Sequence, residues 1–251
     1  MSRESRVPLA NSGRRGSARV AIIQSNYIPW RGYFDIIGMV DHFVLYDIVQ
    51  FTKRDWRNRN RIKTAAGIQW LTIPVMTSGA YQQTIAETKI AGGNWAEKHW
   101  RSLSHAYSRS PHFERYRPRL ADIYRTCGSM TCLSAVNRTF IEFISDELGL
   151  KTTISSAVDY EVGTDRTGRL VEICLALSAG TYLSGPSARG YLDAARFREA
   201  GIEVEFMDYS AYQPYPQLHG DFEPAVSVLD LLFNVGPDAP SYMLYSSQKR
   251  S

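Results

Sequence analysis

The residues that most directly suggest chemistry lie between positions 50 and 63, in the segment QFTKRDWRNRNRIK. Cations occupy every second position there, at Arg57, Arg59, Arg61 and Lys63. Successive side chains of an extended strand point to opposite faces, so this spacing predicts a row of cations on one face. Such a row is suited to an anionic ligand, and a solvated outer strand of a hairpin is the alternative interpretation.

Further side chains of this segment extend the predicted binding surface. Lys53 and Arg54 add positive charge, and Trp56 supplies a flat ring that can stack on a base, a sugar or a substrate chain. The predicted substrate-binding residues of the segment are Gln50, Lys53, Arg54, Trp56, Arg57, Asn58, Arg59 and Arg61.

A second candidate is the polar loop after the first apolar run of the chain. Residues 20–23 form a short β-branched run typical of a buried parallel strand, and Gln24, Asn26, Tyr27 and Trp30 follow it. Ligands of α/β proteins bind beyond the carboxyl ends of parallel strands. We favour a substrate-orienting loop over an ordinary buried turn, because amides at this place need partners that a ligand can supply.

Two residues are candidates for proton transfer. Asp47 ends the next predicted strand, residues 42–47, and is interpreted as a general base or a partner for a nearby arginine. His99 follows Lys98 on a predicted amphipathic helix, where an acid–base role or a structural role is open, and Lys98 joins the predicted binding residues. The histidines form no HxH or HExxH pattern, so we predict no metal site.

Ser184 and Gly185 mark a third candidate. They follow a predicted strand and precede a predicted helix over residues 188–200, which places free backbone N–H groups at the sheet edge. This arrangement suits a phosphate or a carboxylate, and N-capping by serine explains it equally well. The segment is neither a Walker A loop nor a GxGxxG or GxSxG motif.

The alternation of elements predicts an α/β fold, with a parallel, Rossmann-like sheet, an added β-hairpin and a helical insertion. The hairpin pairs residues 50–63 with 69–75, and the insertion occupies about residues 94–149, with helices near 95–107, 113–126 and 133–148. Strands over 152–155, 181–184 and 203–206 follow, with a helix over 167–177. We predict a single domain over residues 20–240, an Arg/Ser-rich disordered tail over 1–19 and a C-terminal tail over 241–251.

Composition limits the classes of function. The chain of 251 residues is 44% hydrophobic, which is enough for a sizeable core, and its net charge is +4. Residues 1–19 contain five arginines and one glutamate, so the remaining 24 basic and 24 acidic residues are balanced and do not favour a nucleic-acid partner. No apolar run is long enough for a signal peptide or a membrane helix. The three cysteines have no metal spacing, and we expect reduced thiols in the cytoplasm.

Several blocks of the sequence resemble one family of bacterial proteins. The blocks QSNYIPWRGYF and WRNRNRIK, followed in order by TYLSG and SVLDLLFN, closely resemble the WbqC-like family. Two departures stand out. The family commonly has paired acids where this chain has Asp47 and Ile48, and it tends to have an acid before Arg169, where this chain has Gly168.

The resemblance implies a biosynthetic enzyme associated with surface-polysaccharide and specialised-metabolite gene clusters. Its implied activity is transfer of an acyl or aminoacyl group from a thioester donor to an amine or amino-sugar, with no tightly bound cofactor. A donor on coenzyme A or on the phosphopantetheine of an acyl-carrier protein would bring phosphates to the Arg row. A nucleotide-dependent nucleotidyltransferase or ligase and a non-catalytic module for anionic ligands are the alternatives.

Overall fold

The computed structural model describes residues 17–80 and 82–248. Its strands are β1 (Ala18–Ile23), β2 (His42–Leu45), β3 (Arg59–Thr64), β4 (Gly67–Thr72), β5 (Thr153–Ser156), β6 (Ala179–Ser184) and β7 (Glu203–Phe206). Its α-helices are α1 (Arg31–Gly38), α2 (Trp95–Tyr107), α3 (Phe113–Cys127), α4 (Leu133–Glu147), α5 (Arg166–Ala176), α6 (Ala194–Glu199), α7 (Val228–Val235) and α8 (Tyr245–Gln248).

Five parallel strands form the central sheet, in the order β5-β2-β1-β6-β7. Numbered by their succession along the chain, these strands read 3-2-1-4-5, which is the order of doubly wound sheets. The direction of winding reverses between β1 and β6. The predicted α/β class with a parallel, Rossmann-like sheet and a separate hairpin is therefore confirmed.

The sheet is covered on both faces because its strands carry apolar side chains at successive positions. Ala21, Phe43 and Leu183 pack with α1, the helices α2–α4 and α7 on one face. Val20 and Val44 pack with α5 and α6 on the other face. Strands buried in this way read as continuous apolar runs, which is why residues 20–23 were recognisable in the sequence.

The predicted hairpin exists, but it is shorter than predicted. β3 pairs with β4 from Arg59 to the Thr64–Gly67 pair, and Gly67 adopts a φ of 106° that favours glycine at this turn. Residues 50–58 form no strand, and Arg54 has a φ of 61°, which interrupts an extended chain. The alternation of β3 is nevertheless as predicted, with Asn60 and Ile62 buried towards the core.

The helical insertion matches its prediction closely, whereas the segment after β6 does not. The structure has a 3-10 turn over Pro186–Gly190 and a separate short α6, which begins after its N-cap Asp193, in place of one helix over 188–200.

Among the described residues, none of the helices is long and apolar enough to cross a membrane.

Both predicted tails need correction where the structure describes them. Ala18 and Arg19 belong to β1, and Ala18 pairs with Ala179, so the expected tail boundary at residue 19 is wrong. The predicted disorder of residues 1–16 lies outside the described residues. Residues 241–248 are no free tail, because Tyr245 is buried, donates its backbone N–H to Asp35 and its hydroxyl to the Leu148 carbonyl.

Candidate functional site

A cavity of about 870 Å³ lies beyond the carboxyl ends of β1 and β6, where the winding of the sheet reverses. This is the place at which doubly wound proteins bind ligands. We call it the switch crevice. It is lined by Gly185 and by the polar and aromatic residues Gln24, Tyr46, Gln50, Thr52, Arg57, Arg166, Arg169, Tyr182, Ser184, Ser187 and Tyr191.

Each wall of the switch crevice comes from the end of an element. Gln24 follows β1, and the Tyr46 N–H donates to the Ile23 carbonyl at 2.9 Å, which joins the ends of β1 and β2. Arg166 and Arg169 lie in the first turn of α5, three residues apart and hence on one side of the helix. Asp165 caps this helix by accepting from the Gly168 N–H, so the first turn is held in place.

The charge of the switch crevice is positive. Arg57, Arg166 and Arg169 line it, and no aspartate, glutamate or histidine is among the described residues that do so. The Nε groups of Arg57 and Arg169 are buried without a hydrogen-bond partner in the described part of the chain. Burial lowers the pKa of the Arg57 guanidinium, and the negative charge of Asp55 acts in the opposite direction. Three guanidinium groups in one concave site, two of them with an unpaired Nε, favour an anionic ligand.

Tyr46 contributes a hydroxyl next to these charges. Burial raises the pKa of Tyr46, while a hydrogen bond with Arg169 and its charge act in the opposite direction. The hydroxyl is therefore a hydrogen-bond donor near pH 7 and not a base. Ser184 and Ser187 supply the other hydroxyls of the same wall.

A buried polar network fixes the loop after β1, and Asp47 is its centre. Asp47 is fully buried; its Oδ1 accepts from the Ser25 N–H at 2.8 Å and its Oδ2 from the Ser134 hydroxyl. Asn137 donates to the Ser25 Oγ at 3.0 Å and to the Arg57 carbonyl at 2.9 Å. Asp47 thus acts as an anchor for the crevice wall, and its position does not fit the expected role of general base.

The same loop carries an unusual backbone conformation that the hairpin holds in place. Ile28 has a φ of 38°, which is uncommon for a β-branched residue. The Asn60 side-chain amide donates to the carbonyls of Tyr27 and Ile28, at 3.0 and 2.9 Å, and the Tyr27 N–H donates to the Trp56 carbonyl. Strained turns of this kind occur where the surrounding structure over-determines them, frequently at ligand sites.

A smaller cavity adjoins the switch crevice. It measures about 290 Å³ and is lined by Asn26, Pro29, Trp30, Trp56, Asn60 and Ala225. Arg57, which lines the switch crevice, donates a hydrogen bond to the Oδ1 of Asn26, which lines this smaller cavity. The two cavities are therefore linked by a hydrogen bond between their walls. We call this cavity the aromatic pocket. The structure therefore brings an anion-binding crevice and an aromatic pocket side by side.

His99 lies away from both cavities. It is buried in the core, where its Nδ1 is 2.9 Å from the Tyr27 hydroxyl, and that hydroxyl is also 2.8 Å from the Tyr124 hydroxyl. Burial lowers the pKa of His99 to about 4, so the ring is neutral near pH 7. The position suits a structural role, and neither the expected acid–base role of His99 nor ligand contact by the fully buried Tyr27 fits it.

The predicted cationic row does not act as one surface. Arg57 alone of its members lines the switch crevice. The Arg59 guanidinium lies 4.2 Å from the Trp70 ring centroid, and that of Arg61 lies 5.7 Å from the centroids of Trp56 and Trp70. Lys63 is buried and donates to the Gln217 Oε1 at 2.7 Å and to the Asp221 carbonyl.

The remaining predicted binding residues line the switch crevice, line the aromatic pocket or lie outside both cavities. Gln24, Gln50, Ser184 and Gly185 line the switch crevice, and Asn26, Trp30 and Trp56 line the aromatic pocket. Lys53, Arg54 and Lys98 are exposed and line neither cavity. Asn58 is turned inward, where it donates to the Ile73 carbonyl at 2.8 Å.

The sequence interpretation missed Tyr46, Arg166, Arg169, Ser187 and Tyr191. A signal existed for two of them, since an Arg-x-x-Arg pair opens the helix after a predicted strand. The structure also shows the surroundings of the two positions at which this chain departs from the family pattern. Ile48, not an acid, lines the switch crevice beside Asp47, and a Cβ at Gly168 would lie 2.7 Å from the Asp165 Oδ2 that caps α5.

The chemical inventory of the site is limited to binding groups. In the described part of the chain, no group of three or more His, Cys, Asp or Glu side chains is placed to hold a metal ion. The described crevice wall offers guanidinium, amide and hydroxyl groups. Such groups bind anions, orient a substrate and stabilise developing negative charge.

Comparisons with known proteins found one family and one similar protein. The WbqC-like protein family matches residues 24–242. An uncharacterized protein of Mycobacterium tuberculosis, Rv1507c, is 51% identical over 230 residues, which cover 92% of this chain and 99% of that protein. No solved structure matches at a significant level.

Proposed function

The chain belongs to the WbqC-like protein family, and from this premise we propose that it transfers an acyl or aminoacyl group from a thioester donor to an amine. The observation that carries the proposal is the switch crevice, in which three arginines face a cavity of about 870 Å³. The donors of acyl transfer on coenzyme A or phosphopantetheine bear phosphates, which guanidinium groups bind well.

The reaction needs few groups from the protein. The amine nitrogen attacks the thioester carbonyl carbon, the new C–N bond forms, the C–S bond breaks, and the proton released by the amine passes to the departing thiolate. No external base is required for this balance, which fits a crevice wall without carboxylate or imidazole among its described residues. The protein then contributes by holding donor and acceptor together and by stabilising charge on the carbonyl oxygen.

The aromatic pocket is the proposed acceptor site. Trp30 and Trp56 offer ring surfaces and Asn26 offers an amide, and the hydrogen bond from Arg57 to Asn26 links the pocket to the proposed donor site. A small-molecule amine or an amino-sugar fits a pocket of about 290 Å³. Thioester donors of this kind are cytoplasmic metabolites, and the proposal accordingly places the reaction in the cytoplasm.

An acyl-carrier protein is the proposed partner when the donor is not free coenzyme A. Lys53, Arg54, Arg59 and Arg61 lie on the same segment as the crevice residue Arg57. The Asp55 carboxylate beside them accepts from the Trp56 N–H and the Thr52 hydroxyl and lies 3.6 Å from Arg57. A net positive surface of this kind complements an acidic carrier protein.

A nucleotide-dependent enzyme is the second candidate, because the strand order is that of nucleotide-binding doubly wound sheets. The loop after β1 lacks the glycine-rich phosphate-binding sequence, so arginines would have to replace it. Assays with ATP and Mg²⁺ present or omitted separate the two: acyl transfer from a preformed thioester proceeds without either, and a ligase or nucleotidyltransferase does not.

Calorimetric titration with coenzyme A tests the donor site. We expect wild-type protein to bind it and Arg169→Ala to bind at least about 10-fold more weakly, because a charge-assisted hydrogen bond is lost. Arg198→Ala is the matched control, since this exposed arginine lies by the amino ends of β6 and β7. Equal affinity of wild type and Arg169→Ala, with unchanged melting temperatures, would remove the switch crevice from the proposal.

A further inference from the structure

Tyr191 stands out in the wall of the switch crevice because it is 56% exposed, a high value for a large aromatic side chain. The Arg166 guanidinium lies 4.5 Å from the centroid of its ring. This contact covers part of the ring, and the exposed fraction leaves ring surface for a ligand. An aromatic ring stacked on an arginine at the rim of a cationic cavity is a platform for a planar group.

The two residues of this platform come from different elements. Arg166 begins α5, and Tyr191 follows the 3-10 turn Pro186–Gly190 after β6. The Tyr191 N–H donates to the Ala188 carbonyl at 3.1 Å, and Ala188 is buried, so the backbone beneath the ring is fixed. The platform is therefore positioned by the fold and lies within the same cavity as Arg57 and Arg169.

We infer that the switch crevice recognises a nucleoside diphosphate group, with its base stacked on Tyr191 and its diphosphate among Arg57, Arg166 and Arg169. Three guanidinium groups match the two adjacent charged phosphates better than a single phosphate or carboxylate. A cavity of about 870 Å³ is within the size range of nucleotide and cofactor sites. The inference rests on the proposed anion-binding role of the crevice and names its ligand class.

The same chemistry can come from two sources. Coenzyme A carries an ADP unit with a further phosphate on its ribose, and a free nucleotide or nucleotide-linked substrate carries a nucleoside diphosphate without that phosphate. A phosphopantetheine on a carrier protein carries no nucleotide. Base recognition at Tyr191 consequently favours coenzyme A or a nucleotide over a carrier protein as the occupant of the crevice.

Calorimetric titrations with inorganic pyrophosphate, ADP and coenzyme A test the inference. In wild-type protein, ADP should bind about 10-fold or more tightly than pyrophosphate, since stacking on an aromatic side chain contributes about 1–3 kcal/mol per base. Tyr191→Ala should lower ADP affinity to the level of pyrophosphate and leave pyrophosphate binding unchanged. Tyr191→Phe should retain ADP affinity, because it keeps the ring.

Trp70→Ala is the control, because Trp70 is also an exposed aromatic residue but lies on β4 and lines neither cavity. Tighter binding of coenzyme A than of ADP identifies coenzyme A as the source, and the reverse order identifies a nucleotide. Equal wild-type affinities for ADP and pyrophosphate, or an unchanged ADP affinity in Tyr191→Ala, would overturn the base platform alone. Failure of wild-type protein to bind any of the three ligands would overturn the proposed donor site as well.

Discussion

At the scale of single residues, charge and burial separate ligand-binding groups from structural ones. Arg57, from the segment before β3, and Arg166 and Arg169, both from the first turn of α5, line one cavity. His99 and Asp47 have the residue types of an acid–base pair, yet both are buried in hydrogen-bonded networks. Residue type and spacing predicted Arg57 and Gln24, whereas burial of a polar side chain depends on the packing of distant segments and has no local signal.

A pH-dependent stability measurement distinguishes a structural His99 from a catalytic one. The pKa of His99 is lowered to about 4 in the folded protein, against an ordinary value near 6.5, so the unfolded chain binds more protons between these values. This contribution to stability is present at pH 7 and is lost as the pH falls from about 6.5 to 4. The difference in free energy of unfolding between wild type and His99→Gln should shrink by roughly 3 kcal/mol over this range.

Asp35→Asn is the comparison, because the contribution of Asp35 to stability changes with pH in the direction opposite to that of His99. Burial raises the pKa of Asp35 to about 6, so the folded protein gains stability from this group as the pH falls below that value. Unfolding in urea, followed at several pH values, measures both differences. A pH-independent difference for His99→Gln, together with weaker binding of coenzyme A, would contradict the structural assignment.

At the scale of elements, the hairpin positions the loop after β1. Asn60 of β3 holds the carbonyls of Tyr27 and Ile28, and the residues on either side of it, Arg59 and Arg61, stack against tryptophans on the opposite face. The alternation in the sequence predicted this division of faces. It could not predict that β3 starts at Arg59, because the turn at Arg54 depends on a backbone conformation that arginine rarely adopts.

The hairpin contact predicts a coupled loss of stability and binding. Asn60→Ala removes two buried hydrogen bonds to the loop, and we expect about 1–3 kcal/mol lower stability together with weaker coenzyme A binding. Asn58→Ala removes a buried hydrogen bond to the Ile73 carbonyl, outside the loop, and should lower stability without changing affinity. Urea unfolding and calorimetry on both variants make the comparison, and equal losses of affinity would refute a specific role for Asn60.

The sequence pattern predicted the bounds of some helices and not of others. The predicted and observed bounds of α2–α4 agree because each carries an apolar stripe at helical spacing. The segment after β6 was predicted as one helix, but Gly190 and the N-cap Asp193 divide it into a 3-10 turn and α6. That break moves Tyr191 out of a helix and into the crevice wall.

At the scale of the whole molecule, the strand order creates the site. The crevice exists because β1 and β6, far apart in sequence, are neighbours at the point where the winding reverses. The alternation of strands and helices predicted a parallel sheet but not which strands are adjacent. The C-terminal segment likewise depends on contacts between residues far apart in sequence, since Tyr245 bonds to Asp35 and to the Leu148 carbonyl.

The contacts of Tyr245 predict an effect on the stability of the fold without an effect on ligand binding. Tyr245→Ala removes a buried aromatic ring, and we expect about 3–5 kcal/mol lower stability, as for other large-to-small core substitutions. Coenzyme A affinity, measured well below the melting temperature, should stay unchanged because Tyr245 lines neither cavity. Thermal unfolding and calorimetry test the pair of outcomes, and a stability equal to that of wild type would show that residues 241–248 form a dispensable tail.

Hydrogen–deuterium exchange with and without coenzyme A tests, without any substitution, whether the switch crevice is the ligand site. We expect slower exchange at the end of β1 and at Gln24, at the first turn of α5 and over residues 184–191. Exchange at the hairpin turn over residues 65–67 and at the amino ends of β6 and β7 should not change. Protection confined to those distant places, or no protection anywhere at saturating coenzyme A, would show that the switch crevice is not the coenzyme A site.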